Sequence, residues 1–383
     1  MKVLLIPSWY PDDKNPINGI FFKEQGEALS KRGIEVIVLT INLISLSEFG
    51  KRKDLGLKIS DENGLKVYRY TNYNFFPRMT ELYLRFYGFI MNKLVKKIEK
   101  EEIGIKLVHI HSALDAGIAY YFSRLNIPYV LTEHSTKYDR NLVKKSESKY
   151  LYKVFEGAKK VVVVGNGLRE AISKYIDKDR VVIIPNMVSI EKKEQEVDFN
   201  KKGFRFFSLG LLNRKKGMDL LIEAFNKNRD KLNQCELYIG GDGEERENLQ
   251  KLIEEYGLNN NIKLIGKLSR EEVAYHMSNC DCFVLASRFE TFGIVYLEAM
   301  LYGKPVIATQ TGGPDTFVND ENGILVPVDD TELLGDAIVR IVNEINHYDS
   351  KQISSYCNEN FGEEAVCKKI INLYKDIKVK VDK

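Results

Sequence analysis

The stretch DCFVLASRFETFGIVYLEAMLYGKPVIATQTGGPDTF, residues 281–317, decides the fold. It opens on a short apolar run, DCFVLAS (281–287), that reads as a buried strand. A polar turn from Arg288 to Thr291 leads to Gly293, and IVYLEAMLYG (294–303) follows as a helix closed by Gly303. A second apolar run, KPVIAT (304–309), begins at once. Strand, helix and strand in such close order make a unit of a parallel sheet covered on both faces.

The same alternation extends on both sides. FRFFSLG (204–210), ELYIGG (236–241), IKLIG (262–266) and GILVPV (323–328) supply further strands with helical segments between most of them. In the first half VLLI (3–6), EVIVLT (35–40), KLVHIHS (106–112), YVLTEHS (129–135), KVVVVG (160–165) and RVVIIPN (180–186) do likewise. FFKEQGEALSKRG is an amphipathic helix that stops at Gly33. The charged segment MVSIEKKEQEVDFNKKG (187–203) has no periodicity and reads as a linker or an excursion. The expected architecture is therefore two Rossmann-like, doubly wound parallel-sheet domains, residues 1–186 and 187–363. Ligands of such sheets bind beyond the carboxyl ends of the strands, so two of them facing each other would frame a central cleft.

Composition narrows the function classes. Of 383 residues, 44% are hydrophobic and 29% charged, which suits a globular chain and not a disordered or fibrous one. The net charge of +3 provides no strong field for nucleic acid. No apolar run approaches the roughly 20 residues that span a bilayer, and the opening MKVLLIPSWYP is too short an apolar core for a secretory signal. The five cysteines include no C-x-x-C pair and are expected as buried free thiols in a reducing cytoplasm, with Cys280 and Cys282 on one strand face. His109 and His111 alternate within one strand and are expected on opposite faces, His111 toward the cleft and His109 in the core. No third ligand stands near them at zinc-like spacing, so no metal site is expected.

The chemistry gathers around Gly293. A helix that begins after a strand presents free N–H groups and a positive dipole end, a natural phosphate site where glycine permits close approach. Glu290 stands in the loop before that helix, and Glu298 lies one to two turns inside it. A carboxylate beside a phosphate does not bind it and is suited to accepting hydrogen bonds from hydroxyls, as an acidic residue does for ribose. The residues alone leave two readings open: a nucleotide-sugar pocket, or a capped helix with an incidental acidic pair.

These residues resemble the E-x7-E region of the family-4 retaining glycosyltransferases, whose fold is GT-B. FFSLGLLNRKKGMDLLIEAF (206–225) is similar to that family's phosphate-clamp strand, loop and helix, and ELYIGGDGEERENL (236–249) to its glycine-rich turn. IKLIGKLSREEVAYHMSNCDCFVLAS (262–287) resembles its base-binding loop, and VVIIPNMVS (181–189) its interdomain Pro-Asn segment, which contains Asn186. The resemblance implies that Glu298 holds the donor ribose, that Glu290 contacts the donor sugar, and that amides at Phe292, Gly293 and Ile294 hold sugar and diphosphate. It implies that Lys216 neutralises the diphosphate and that Gly266 and Lys267 meet the base. His134, in LTEHS, would approach the sugar from the amino-terminal side. Gly19, in NPINGIFF, would face diphosphate and acceptor. Where the family places an arginine five residues before the lysine this chain has Leu211, so Arg214, in NRKKG, is the compensating candidate. One glycine, Gly19, stands where many members have two.

The implied enzyme is a metal-independent, retaining hexosyltransferase without a cofactor. It would move a sugar from a nucleoside-diphosphate donor, UDP being the expected nucleotide, to a hydroxyl of a glycan or lipid-linked glycan. SWYPDDKNPINGIFFKEQ resembles a branch that builds bacterial O antigen, capsule and teichuronic acid, which implies a cytoplasmic enzyme peripheral to the inner face of the plasma membrane. The segment YNFFPRMTELYLRFYGFIMNKLVKKIEKEE (73–102) reads either as a core helix with a solvated face, Leu82, Phe86, Phe89 and Ile90 sharing one side, or as a contact with anionic headgroups. Phe75, Phe76, Arg78, Arg85, Lys96 and Lys97 are the candidate contacts. In the resembled fold the last helix, about 364–383, crosses back to the first domain. Two rivals are a GT-B-type UDP-sugar epimerase and a non-catalytic sugar-nucleotide-binding subunit.

Other features carry less. VVVVGNGLREAI (161–172) has a strand and G-x-G, but Glu170 replaces the third glycine and would repel phosphate. Asp177 and Asp179 read as surface charge, GGDGEER (240–246) as a helix-entry turn or simply a tight turn, and Trp9 as packing or acceptor contact.

Overall fold

The computed structural model describes residues 1–16, 18–52, 54–138, 140–189 and 203–381, with side chains to Ile377. The expected linker falls mostly at 190–202, outside the described residues. The chain divides into two compact units, Met1–Val164 with Leu168–Met187 and Val366–Lys383, and Gly165–Gly167 with Val188–Ala365.

The first unit is built on β1 (Lys2–Pro7), α1 (Ile20–Lys31), β2 (Glu35–Ile44), β3 (Gly56–Glu62), β4 (Leu65–Tyr73), α2 (Thr80–Glu101) and β5 (Ile105–His111). It continues with α3 (Ile118–Ser123), β6 (Tyr129–Glu133), α4 (Lys145–Gly157), β7 (Lys160–Val163), α5 (Asn166–Ile172) and β8 (Val181–Ile183). The sheet order is β3-β4-β2-β1-β5-β6-β7-β8. The central strands are apolar on both faces because helices cover both: Val3, Leu4, Val38, Leu39, Val108 and Ile110 are fully buried.

One edge departs from the expected all-parallel sheet. β3 runs antiparallel to β4, and only β4 onward is parallel. The pair is joined through Asn63 and Gly64, both at positive φ (56° and 82°), the backbone that a tight hairpin turn requires.

The second unit holds β9 (Phe204–Leu209), α6 (Met218–Lys227), β10 (Cys235–Gly240), α7 (Arg246–Glu255), β11 (Ile262–Gly266), α8 (Arg270–Asn279) and β12 (Cys282–Leu285). It closes with α9 (Ile294–Leu301), β13 (Val306–Thr309), β14 (Gly323–Val326), α10 (Thr331–Asn343) and α11 (Ser350–Phe361). Its order is β11-β10-β9-β12-β13-β14, with every pairing parallel. The last helix, α12 (Glu363–Val381), belongs to the first unit from Val366 on. There Val366, Ile370 and Tyr374, one helical face, join the core of β1, α1 and β2.

Three local expectations are corrected. Cys280 caps the end of α8 and precedes β12, so it does not share a strand with Cys282, although all five thiols are free and buried. On α2 the buried side is Leu84, Tyr87, Ile90, Met91, Leu94, Val95 and Ile98. Leu82 and Phe89 are 40% and 54% exposed, so they do not share a side with Ile90. His109 and His111 face the same way, because side chains two apart in a strand share a face, and their rings stack at 4.2 Å.

Candidate functional site

In the second unit three loops leave the carboxyl ends of β9, β12 and β11. The loop after β9 carries a short 3-10 turn, Arg214–Lys216, capped by Gly217 at φ 63°. The loop after β12 carries Glu290 to Gly293, and Gly266 (φ 80°) ends β11. Because β9 and β12 are neighbours, residues 74 apart in sequence meet: Lys216 Nζ donates to Glu290 Oε2 at 2.6 Å, with both side chains largely buried. Burial alone would push the Glu290 carboxyl up, but Lys216 and Lys215, with the amide of Phe292, hold it below the usual carboxylate range.

Gly293 is the N-cap of α9 at φ 91°, a backbone that L side chains rarely adopt. A Cβ there would stand 2.5 Å from the Tyr296 ring. No side chain caps the helix, so its leading amides keep the free donor capacity of a helix start. Phe292 is buried against Phe317 and Phe361, which anchors the loop from below. Gly313, from the TQTGG loop, supports the other side, where a Cβ would stand 2.6 Å from the Phe292 nitrogen. Ile294 begins α9, and Glu298 lies half-buried one turn further along.

Arg214 is exposed and in no ion pair among the described residues, and Leu211, where an arginine was expected, is 60% exposed. Arg246 approaches Gly266, since a Cβ on that glycine would lie 3.6 Å from its guanidinium, and Lys267 beside it is exposed.

In the first unit His111 ends β5 and His134 follows β6. His111 Nδ1 and His134 Nε2 lie 3.2 Å apart. Phe22, at the start of α1, packs on both rings, 4.7 and 5.0 Å between centroids. Gly19 caps α1 at φ 75°, with Trp9 so close that a Cβ would meet it at 2.8 Å. Trp9 packs on Phe22 at 5.4 Å and thereby stiffens the loop. Asn186 lines a small cavity with Gln25, His109, Thr132 and His134. Burial holds His109 and His134 down at about 3 and His111 well below the usual range, so all three rings are neutral near pH 7. His134 Nδ1 and His111 Nε2 are buried without a hydrogen-bond partner.

Sequence reasoning passed over Glu133. Its carboxylate, fully buried, accepts from the amides of Ala113, His134 and Ser135 and from the Tyr138 hydroxyl. It thereby fixes the backbone on which His134 stands. An acid ending an apolar strand just before a candidate histidine was the available signal. The described residues contain no group of three or more His, Cys, Asp or Glu placed to hold a metal ion.

Comparison with known proteins follows the same division. A family described as glycosyl transferases group 1 matches residues 189–354, and one described as Glycosyltransferase Family 4 matches residues 19–192. An uncharacterized glycosyltransferase of Methanocaldococcus jannaschii is 31% identical over 351 residues, 90% of this chain and 89% of that protein. A putative teichuronic acid biosynthesis glycosyltransferase of Bacillus subtilis, TuaC, is 25% identical over 90% of each chain. Among solved structures, Anabaena HepE in complex with UDP-glucose shares the fold with a TM-score of 0.72 at 18% identity, covering 98% of this chain and 100% of that one. Such structural neighbours are GT-B glycosyltransferases, and the two-sheet α/β architecture here is theirs.

Proposed function

The chain belongs to glycosyltransferase family 4, and from that premise we propose that it transfers a sugar, with retention, from a nucleoside-diphosphate donor to a hydroxyl of a glycan or lipid-linked glycan in polysaccharide biosynthesis. One observation carries the reading. The Lys216–Glu290 pair stands beside the open, glycine-capped start of α9, so a cation, a carboxylate and free amides converge on one spot.

Breaking a sugar–diphosphate bond develops negative charge on the leaving phosphate and positive charge at the anomeric carbon. Lys216, with Lys215 and Arg214 on the same turn and the amides of Gly293 and Ile294, stabilises the first, while the Phe292 amide steadies the Glu290 carboxylate. Fixed donors of this kind are worth about 3–4 kcal/mol each. Glu290 accepts hydrogen bonds from the sugar, and Glu298 from the ribose. The leaving phosphate takes the acceptor proton, so neither glutamate acts as nucleophile and no metal is needed. Gly266 and Lys267 meet the base. In the first unit Gly19, His111, His134 and Asn186 serve the sugar and acceptor side. UDP is the nucleotide of choice, supported by the UDP-glucose complex of the HepE structure, and the teichuronic acid relative supports a polymeric acceptor.

A lipid-linked acceptor calls for contact with the inner membrane face, and α2 suits it. Leu82 and Phe89 are exposed, with Phe75 and Met79 exposed just before the helix. Arg85, Lys93, Lys96, Lys97 and Lys100 are exposed on the same helix, and Lys93 lies over the Phe89 ring at 4.4 Å. Exposed aromatics flanked by lysines suit an anionic headgroup layer. No helix among the described residues is long and apolar enough to cross a membrane.

The test is incubation with UDP-, GDP- and ADP-sugars, with and without a glycan acceptor, in the presence of a chelator. Acceptor-dependent release of free nucleotide with retained anomeric configuration is expected. Donor isomerised without acceptor would make the protein an epimerase, and no release at all would make it a binding subunit. Loss of activity in chelator, restored by manganese, would refute metal independence.

A further inference from the structure

Arg288 stands two residues before Glu290, and its hydrogen bonds go to protein oxygens. Its backbone N–H donates to the carbonyl of Lys215 at 2.8 Å. Its guanidinium donates to the carbonyl of Arg214 at 2.8 Å, to both carboxylate oxygens of Asp219 at 2.9 and 2.8 Å, and to Asp329 at 2.6 Å. Asp219 sits in the first turn of α6, and Asp329 lies just before α10 with φ at 59°. Three elements, the turn at 214–216, α6 and the start of α10, therefore converge on one side chain that is only 15% exposed.

The turn is also pressed onto the end of β12. A Cβ at Gly217 would stand 1.9 Å from the Ala286 carbonyl, so only glycine permits the approach. Carbonyls on the two residues preceding Lys216 are thus held by Arg288, while the Lys216 ammonium reaches Glu290 on the same loop. Arginine offers five N–H donors in a fixed fork. Four bonds of that fork go to protein oxygens here, so Arg288 is committed to structure and is not left as a phosphate ligand. Asp219 answers in kind: burial would push its carboxyl up, but the Arg288 guanidinium holds it below the usual range.

We propose that Arg288 is the positioning residue of the donor site: braced by Asp219 and Asp329, it fixes the Lys216 backbone to the Glu290 loop, so that cation and carboxylate keep their register when a diphosphate enters. The role rests on the donor-binding reading given above. A lysine cannot reproduce it, because a point charge cannot hold two carboxylates and a carbonyl in one plane.

The test uses the full chain and UDP as probe, by calorimetric titration, with uridine as the phosphate-free control. R288Q should weaken UDP about tenfold or more, with stoichiometry still near one and uridine unchanged. R288K should recover only part of the loss. D329N, which leaves Oδ1 as an acceptor for the Arg288 Nε–H but takes away its charge, should weaken UDP a few-fold and serves if R288Q does not fold. K216A combined with R288Q should bind UDP no more than about twofold more weakly than K216A alone, because Arg288 acts through Lys216. Wild-type UDP affinity in folded R288Q and D329N would overturn the role. So would multiplicative losses in the double variant, which would make Arg288 a direct phosphate ligand. If the wild type binds none of UDP, GDP and ADP, the donor reading falls and this role falls with it.

Discussion

At the scale of single residues, the Lys216–Glu290 pair joins the loops after β9 and β12. Removing one partner of a buried pair leaves the other charge uncompensated, at a cost of about 3–5 kcal/mol. Lys216→Ala is therefore expected to cut kcat/KM about 100-fold or more, from the lost phosphate contact. It should also move the acid limb of the pH–rate profile. In the wild type the Glu290 carboxyl lies below its ordinary value and stays ionised as pH falls until that lowered value is reached. Without Lys216, burial dominates and the carboxyl rises, so activity is lost at higher pH. An unmoved acid limb in K216A would mean that Lys216 does not set the Glu290 charge. Arg214→Ala should weaken donor binding several-fold, since Arg214 is exposed and bound to no acid among the described residues; unchanged donor affinity by titration would remove it from the clamp. Glu290, Gly293 and Glu298 were legible because their spacing around one helix start is local. The contact between Lys216 and Glu290 was not, because it depends on β9 lying next to β12, a sheet order that no local pattern encodes.

At the scale of elements, continuous apolar runs revealed twelve of the fourteen strands among the described residues, because most are buried on both faces. β3 and β4 escaped that criterion. β3 is half-exposed, and its Lys58, Ser60, Asp61 and Glu62 break any apolar run. The signal that would have found the hairpin was Asn63-Gly64, the favoured pair for a two-residue turn. On α2 the expected side, Leu82, Phe86, Phe89 and Ile90, is out of phase: Ile90 is buried with Tyr87, Met91 and Ile98, whereas Leu82 and Phe89 are exposed. The same scale governs Gly293. Alanine there would carry left-handed strain of about 1–2 kcal/mol and would press on the Tyr296 ring, which is fully buried and donates to the Leu285 carbonyl. Gly293→Ala should lower Tm by about 2–8 °C and abolish measurable turnover even well below that Tm. A variant with wild-type Tm and kcat would show that the helix start neither needs the left-handed cap nor carries the diphosphate.

At the scale of the whole molecule, the two units carry different chemistry, and their stabilities should answer to different variables. The first unit buries three neutral imidazoles: His109, held between Tyr374 and Thr132 at 2.6 Å each, stacked His111, and His134. An unfolded histidine titrates near 6.5, whereas burial holds His109 and His134 at about 3 in the native state. Below pH 6.5 the unfolded chain thus binds protons that the folded chain refuses, so stability falls as the pH drops from about 6.5 toward 3. Between pH 7 and 5 His109 and His134 should each cost about 2 kcal/mol, and His111 acts in the same direction. The second unit has no such cluster among its described residues, but it holds the residues proposed to bind the donor. Scanning calorimetry should therefore separate the two: acidification from pH 7.5 to 5 lowers the transition of the first unit more steeply, and saturating UDP raises that of the second by mass action. Tyr374→Phe, which removes the α12 hydroxyl from His109 Nδ1 and leaves a buried nitrogen unpaired, should lower only the acid-sensitive transition, by about 1–3 kcal/mol. Replacing His109 and His111 by asparagine should flatten its dependence on pH. If acid lowers both transitions equally, or if the flattening fails, the buried imidazoles are not what makes this fold acid-labile, and α12 contributes packing alone.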